Sequence, residues 1–161
     1  MPKPVFIICS ESGTVDRFTN LVSIHNVIEH LTCHAGESGE KKDGAPGGLG
    51  ISKMRATAQW SKSEGDDSRA FFHEFTISMF GSPPKVISAS AFAFRTPFHR
   101  FVVDLILPSS TELEDAESNI VFTSRIRAKG EEEWISQSYT IPVEYVGFTS
   151  GDRSSPESAQ N

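Results

Sequence analysis

Residues 69–80 read Arg69-Ala70-Phe71-Phe72-His73-Glu74-Phe75-Thr76-Ile77-Ser78-Met79-Phe80. Successive side chains of a strand point to opposite faces. A strand here puts Phe71, His73, Phe75, Ile77 and Met79 on one face. Phe72, Glu74, Thr76, Ser78 and Phe80 take the other, more polar face. This alternation sets the reading of the whole chain as β. Pro83-Pro84 then blocks continuation, since neither residue can donate to a ladder.

The same alternation runs outward from there. Lys85 to Phe94 sends Val86, Ser88, Ser90, Phe92 and Phe94 one way and Ile87, Ala89, Ala91 and Ala93 the other. Phe98 to Leu107 sets Phe101, Val103, Leu105 and Leu107 against Arg100, Val102, Asp104 and Ile106. Asn119 to Lys129 sets Ile120, Phe122, Ser124 and Ile126 against Val121, Thr123, Arg125 and Arg127. Gly130-Glu131-Glu132 reads as a hairpin turn into a last run, where Ile135, Tyr139, Ile141, Val143 and Tyr145 share a face. Upstream, Pro4 to Cys9 and Ser52 to Trp60 also suit strands. Thr19 to Leu31 fits both periods; its β-branched residues favour a strand, with a short helix near 15–31 as the alternative.

About eight short strands separated by turns imply an all-β, antiparallel two-sheet β-sandwich. The chain has 161 residues, 37% of them hydrophobic, enough for one core without staples. The expected domain spans 1–147. Within it 32–50 reads as a Gly-rich mobile loop, and 148–161 as a disordered polar tail.

Several residues together resemble an uncharacterised family of small bacterial β-sandwich proteins. They are Phe6-Ile7-Ile8-Cys9-Ser10-Glu11, Val15-Asp16, Thr19-Asn20-Leu21-Val22-Ser23-Ile24 and Asn26-Val27-Ile28-Glu29, followed by Trp60, the Phe72 to Phe80 strand and Trp134 to Pro142. The resemblance covers about Val5 to Val146. It implies a β-sandwich and favours the strand reading of Thr19 to Leu31. It brings no activity, so it assigns no catalytic residue.

Composition narrows function mainly by exclusion. The formal charge of −6 disfavours sequence-independent binding to nucleic acid. The two cysteines, Cys9 and Cys33, make no disulfide framework. No segment has the ~20 apolar residues of a membrane span, and no signal peptide is evident. The expected location is therefore cytoplasmic.

Candidate chemistry is thin. His25, His30, Cys33 and His34 hold zinc-type ligands, but no second such unit exists, and polar residues at a strand end explain them as well. Glu64, Asp66 and Asp67 in one loop, with Glu112, Glu114, Asp115 and Glu117 in another, are candidate calcium ligands if the loops meet. Among these, Glu64, Asp66, Asp67, Glu112 and Asp115 form the candidate metal set; solvated acidic turns are the plainer account. Gly44 to Gly50 lacks the Gly-Lys-Ser/Thr ending of a phosphate loop. His73 with Glu74, and His99 with Asp104, offer acid–base groups but no marked nucleophile. Arg95, His99, Arg100, Arg125 and Arg127, flanked by Phe94 and Phe98, could take an anion if their faces coincide.

No cofactor is implied. The expectation is a non-catalytic protein-interaction or assembly module, through a protein partner or self-association. Phe72, Phe80, Phe92 and Phe94 exceed the evident needs of one core face and suggest an apolar contact surface. A calcium-dependent ligand or membrane-surface binder using the acidic loops is the alternative.

Overall fold

The computed structural model describes residues 1–15, 22–34, 53–106 and 118–146. These residues form two packed sheets, and the expected all-β sandwich is the fold. Nine strands are described: β1 Lys3–Val15, β2 Val22–Val27, β3 Leu31–His34, β4 Lys53–Ser61, β5 Phe71–Met79, β6 Lys85–Phe92, β7 Phe98–Ile106, β8 Ser118–Ala128 and β9 Ile135–Val146. One 3₁₀ turn lies at Asp66–Ser68. The first sheet has the order β2-β1-β4-β7, and the second β3-β9-β8-β5-β6.

One ambiguity resolves as the favoured reading had it, and two details differ from the sequence expectation. Val22–Val27 is a strand, antiparallel to β1 with Ser12 opposite His25, so the described part of the ambiguous segment is not helical. Its β-branched side chains and a waiting partner outweigh the helical spacing. A strand also reaches into the stretch read as a loop: Thr32, Cys33 and His34 belong to β3. Four residues are too few to show alternation, and pairing with β9 decides them. That pairing is parallel, with Leu31 opposite Val143, whereas the other ladders among the described residues are antiparallel. Residues 35–52 and 147–161, the rest of the Gly-rich stretch and the tail, lie outside the described residues.

The core lies between the inner faces that alternation assigns. Cys9, Met54, Ala56 and Ala58 from the first sheet pack with Phe75, Ile77, Ile120, Phe122, Ile141 and Val143 from the second. Small residues on β4 belong to the same cluster as the large Phe75 and Phe122, which lets the layers approach closely. A second cluster, Trp60, Phe71, Phe94, Ile126 and Ala128, fills one end. Each fully buried large side chain contributes about 1.5–3 kcal/mol relative to exposure. The β8–β9 turn places Gly130 at φ 90°, a conformation glycine adopts without Cβ strain, and Glu131 N–H closes it on the Ala128 carbonyl at 3.1 Å.

Candidate functional site

β5 and β8 run side by side, with His73 opposite Ile126 and Phe75 opposite Ser124. Both His73 and Ser124 therefore face inward, among phenylalanines and isoleucines. Their relative exposures are 2% and 0%. A buried polar group needs a partner, and β4 supplies one. Trp60 Nε1–H donates to Ser124 Oγ at 2.9 Å, and Ser124 Oγ lies 2.9 Å from His73 Nε2. Since the indole is only a donor, the serine hydroxyl proton is free to go to His73 Nε2. The imidazole proton then sits on Nδ1, which has no hydrogen-bond partner. The opposite tautomer would leave both the serine proton and Nδ1 unmatched, so the first arrangement is favoured.

Aromatic rings enclose the network. His73 stacks on Phe101 of β7 with centroids 3.4 Å apart and planes 5° from parallel. Phe75 meets it edge to face. Phe92, His99 and Phe101 continue the cluster, with Phe92 and His99 stacked at 4.5 Å. Burial, and then the neighbouring His99, lower the His73 imidazole from its ordinary 6.5 to about 3. Burial also lowers His99. A serine beside a histidine suggests nucleophile and base. Here Ser124 Oγ already serves Trp60, the imidazole is a weak base, and Nδ1 meets no carboxylate. Chemically, this triad links the two sheets across the core.

The expected metal ligands fare unequally. Asp66 is buried and committed: its Oδ2 accepts Ser63 N–H at 2.7 Å, and its Oδ1 lies 3.5 Å from the Met1 amino group. Asp67 pairs with Lys62 at 2.6 Å, and Glu64 is exposed. Glu112, Glu114, Asp115 and Glu117 lie outside the described residues. His25 is exposed on β2, and His30 is exposed in the turn before β3. Among the described residues no three His, Cys, Asp or Glu side chains gather to hold a metal ion. Burial drives the Cys9 thiol up to about 12, so it behaves as a small core hydrophobe.

The basic residues do not share a face. Arg125 and Arg127 lie on the outer face of the second sheet. Arg125 pairs with Glu74 at 2.6 Å and stacks 4.6 Å over Trp134. Arg127 lies 5.0 Å over Trp134 and 5.3 Å over Phe72. Arg100, on the outer face of the first sheet, hydrogen-bonds Gln59, and His99 turns inward. The aromatic surplus is absorbed too. Phe94 is buried, Phe92 is half-buried in the cluster, Phe80 packs on the core and Phe72 is partly covered by Arg127. These four therefore do not form the exposed patch their number suggested.

Exposed apolar side chains occur elsewhere. The register of β7 on β4 puts Phe98, Arg100, Val102, Asp104 and Ile106 on the outer face of the first sheet, opposite Ser61, Gln59, Thr57, Arg55 and Lys53. Phe98 is 48% exposed, Val102 45% and Ile106 84%. Alternation showed the face but not its exposure, which depends on β7 ending the sheet. No family model, curated protein or solved structure matches the chain. Among the described residues no helix is long and apolar enough to cross a membrane.

Proposed function

We propose that this chain is a non-catalytic β-sandwich module that works through protein contacts. The supporting observation is the outer face of β7, where Phe98, Val102 and Ile106 stand exposed in one row on a sheet-edge strand. Single exposed apolar residues are ordinary. Three on the outer face of one edge strand, alternating with Arg100 and Asp104, offer apolar side chains that association would remove from water. The sealed His73–Ser124–Trp60 network also favours a module over an enzyme, because its reactive atoms are enclosed in the core. Membership of the small bacterial β-sandwich family belongs to the same proposal. Size-exclusion chromatography with light scattering over a concentration series tests the self-association form. A mass above that of one chain supports it, and a strict monomer at high concentration counts against it.

A further inference from the structure

Sheet edges carry unpaired backbone groups, and proteins blunt them with short strands, prolines, bulges or bends. Three of the four edges described here are blunted by shortness, a bend or a bulge. β3 has four residues. β2 has six, and Asn26 within it is left-handed at φ 55°. β6 follows Pro83-Pro84, and its register shifts against β5 between Phe75 and Thr76. β7 also follows a proline, Pro97, but it is long and carries neither a bulge nor a left-handed residue. Its nine residues pair with β4 in unbroken register from Phe98 to Ile106, with no proline between them.

We infer that β7 pairs antiparallel with β7 of a second copy of this chain, about a twofold axis at Val102. This rests on the protein-contact reading and names its partner and geometry. The outer face of β7 reads apolar, basic, apolar, acidic, apolar: Phe98, Arg100, Val102, Asp104, Ile106. A twofold interface must complement itself, and this row does. Phe98 meets Ile106 of the second copy, Arg100 meets Asp104, and Val102 meets its own counterpart. On the inner face His99 meets Leu105, and Phe101 meets Val103.

Charge selects this register. Moving the axis to Phe101 or Val103 sets Arg100 and Asp104 opposite apolar residues and loses both Arg100–Asp104 pairs; moving it on to Arg100 or Asp104 sets like charges opposite each other. Like charges directly opposite are destabilising. Arg100 keeps its hydrogen bonds to Gln59, and Asp104 its pair with Arg55 at 2.7 Å, so the new contacts extend existing networks. The backbone agrees as well. Every second residue of β7 turns its N–H and C=O away from β4. The twofold register pairs even positions with even and odd with odd, so the outward set always meets its own kind. The product is one continuous sheet of order β2-β1-β4-β7-β7-β4-β1-β2, a form of strand addition.

Cysteine trapping in the folded protein tests the geometry, in a Cys33→Ser background with buried Cys9 retained. Val102→Cys brings two thiols together at the axis, and a short bismaleimide is expected to link them. Ile106→Cys puts its thiols about 26 Å apart, eight residues of strand rise, and is expected not to link. In parallel, Val102→Lys sets two ammonium groups face to face and is expected to weaken self-association roughly tenfold or more. Unlinked Val102→Cys, or equal linking at position 106, in a protein that does self-associate overturns the β7 inference and leaves the contact reading standing. A monomeric wild type overturns the inference and the self-association form together. If Val102→Lys fails to fold by circular dichroism, the trapping pair decides alone.

Discussion

Mild acid will destabilise this protein before its carboxylates titrate, and His73→Phe will remove much of that effect. The folded imidazole is held at about 3, against the ordinary 6.5 it regains on unfolding. As pH falls below 6.5, the unfolded chain therefore takes up the proton first. Stability from the neutral buried ring is complete above pH 6.5 and declines as pH falls towards 3. At 1.36 kcal/mol per pKa unit the whole effect is on the order of 5 kcal/mol, and about 2 kcal/mol of it is lost by about pH 5. At 2% exposure the ring has little solvent screening to reduce that figure. Against a typical net stability of about 5–15 kcal/mol, such a loss is easily measured. Phenylalanine keeps the stacking on Phe101 but gives up the bond to Ser124, which lowers stability by about 1 kcal/mol at neutral pH. Urea melts of both proteins will then cross, the wild type about 1 kcal/mol the more stable at about pH 7 and about 1 kcal/mol the less stable at about pH 5. His99, also lowered by burial, remains in the variant and leaves a residual slope. Equal losses in the two proteins, or a native His73 resonance titrating near 6.5, would refute the reasoning.

Other outcomes follow from the same packing. Ser124→Ala leaves Trp60 Nε1–H and His73 Nε2 without their shared partner, and will lower stability by about 2 kcal/mol or more in denaturant melts. Asp66→Ala removes the acceptor of Ser63 N–H in the 3₁₀ turn, at about 1 kcal/mol, read as a lower Tm. Cys9 will resist alkylation at mildly alkaline pH until the protein is unfolded, as peptide mapping will show, because its thiol is driven up to about 12.

Much of the fold is legible in local alternation. β5 and β8 each sort into an inner and an outer face from their own residues, and every inner residue of β8 from Ile120 to Ala128 is buried. β3 was not legible, because Leu31–His34 takes its structure from β9, more than a hundred residues away. The site was half legible. His73 and Ser124 each interrupt an apolar face, and a polar residue on such a face signals a buried partner. What alternation cannot give is that Trp60, on another sheet, completes the pair. The surplus of phenylalanines misled for the same reason: side-chain counts do not show that Phe92 and Phe94 close one end of the sandwich against His99 and Phe101.

The parallel pairing of β3 with β9 also orders events in time. Every strand of the first sheet lies within residues 3–106, so that layer can assemble as soon as β7 has been synthesised. The second layer cannot finish so early. β3 is made before β4, yet among the described residues its one strand neighbour is Ile135–Val146, and the Tyr139 hydroxyl donates across the same junction to the Ile28 carbonyl at 3.0 Å. Contacts this distant in sequence slow folding. An emerging chain thus holds a finished layer with its apolar inner face uncovered until β9 arrives, the interval in which a chaperone would have most to shield.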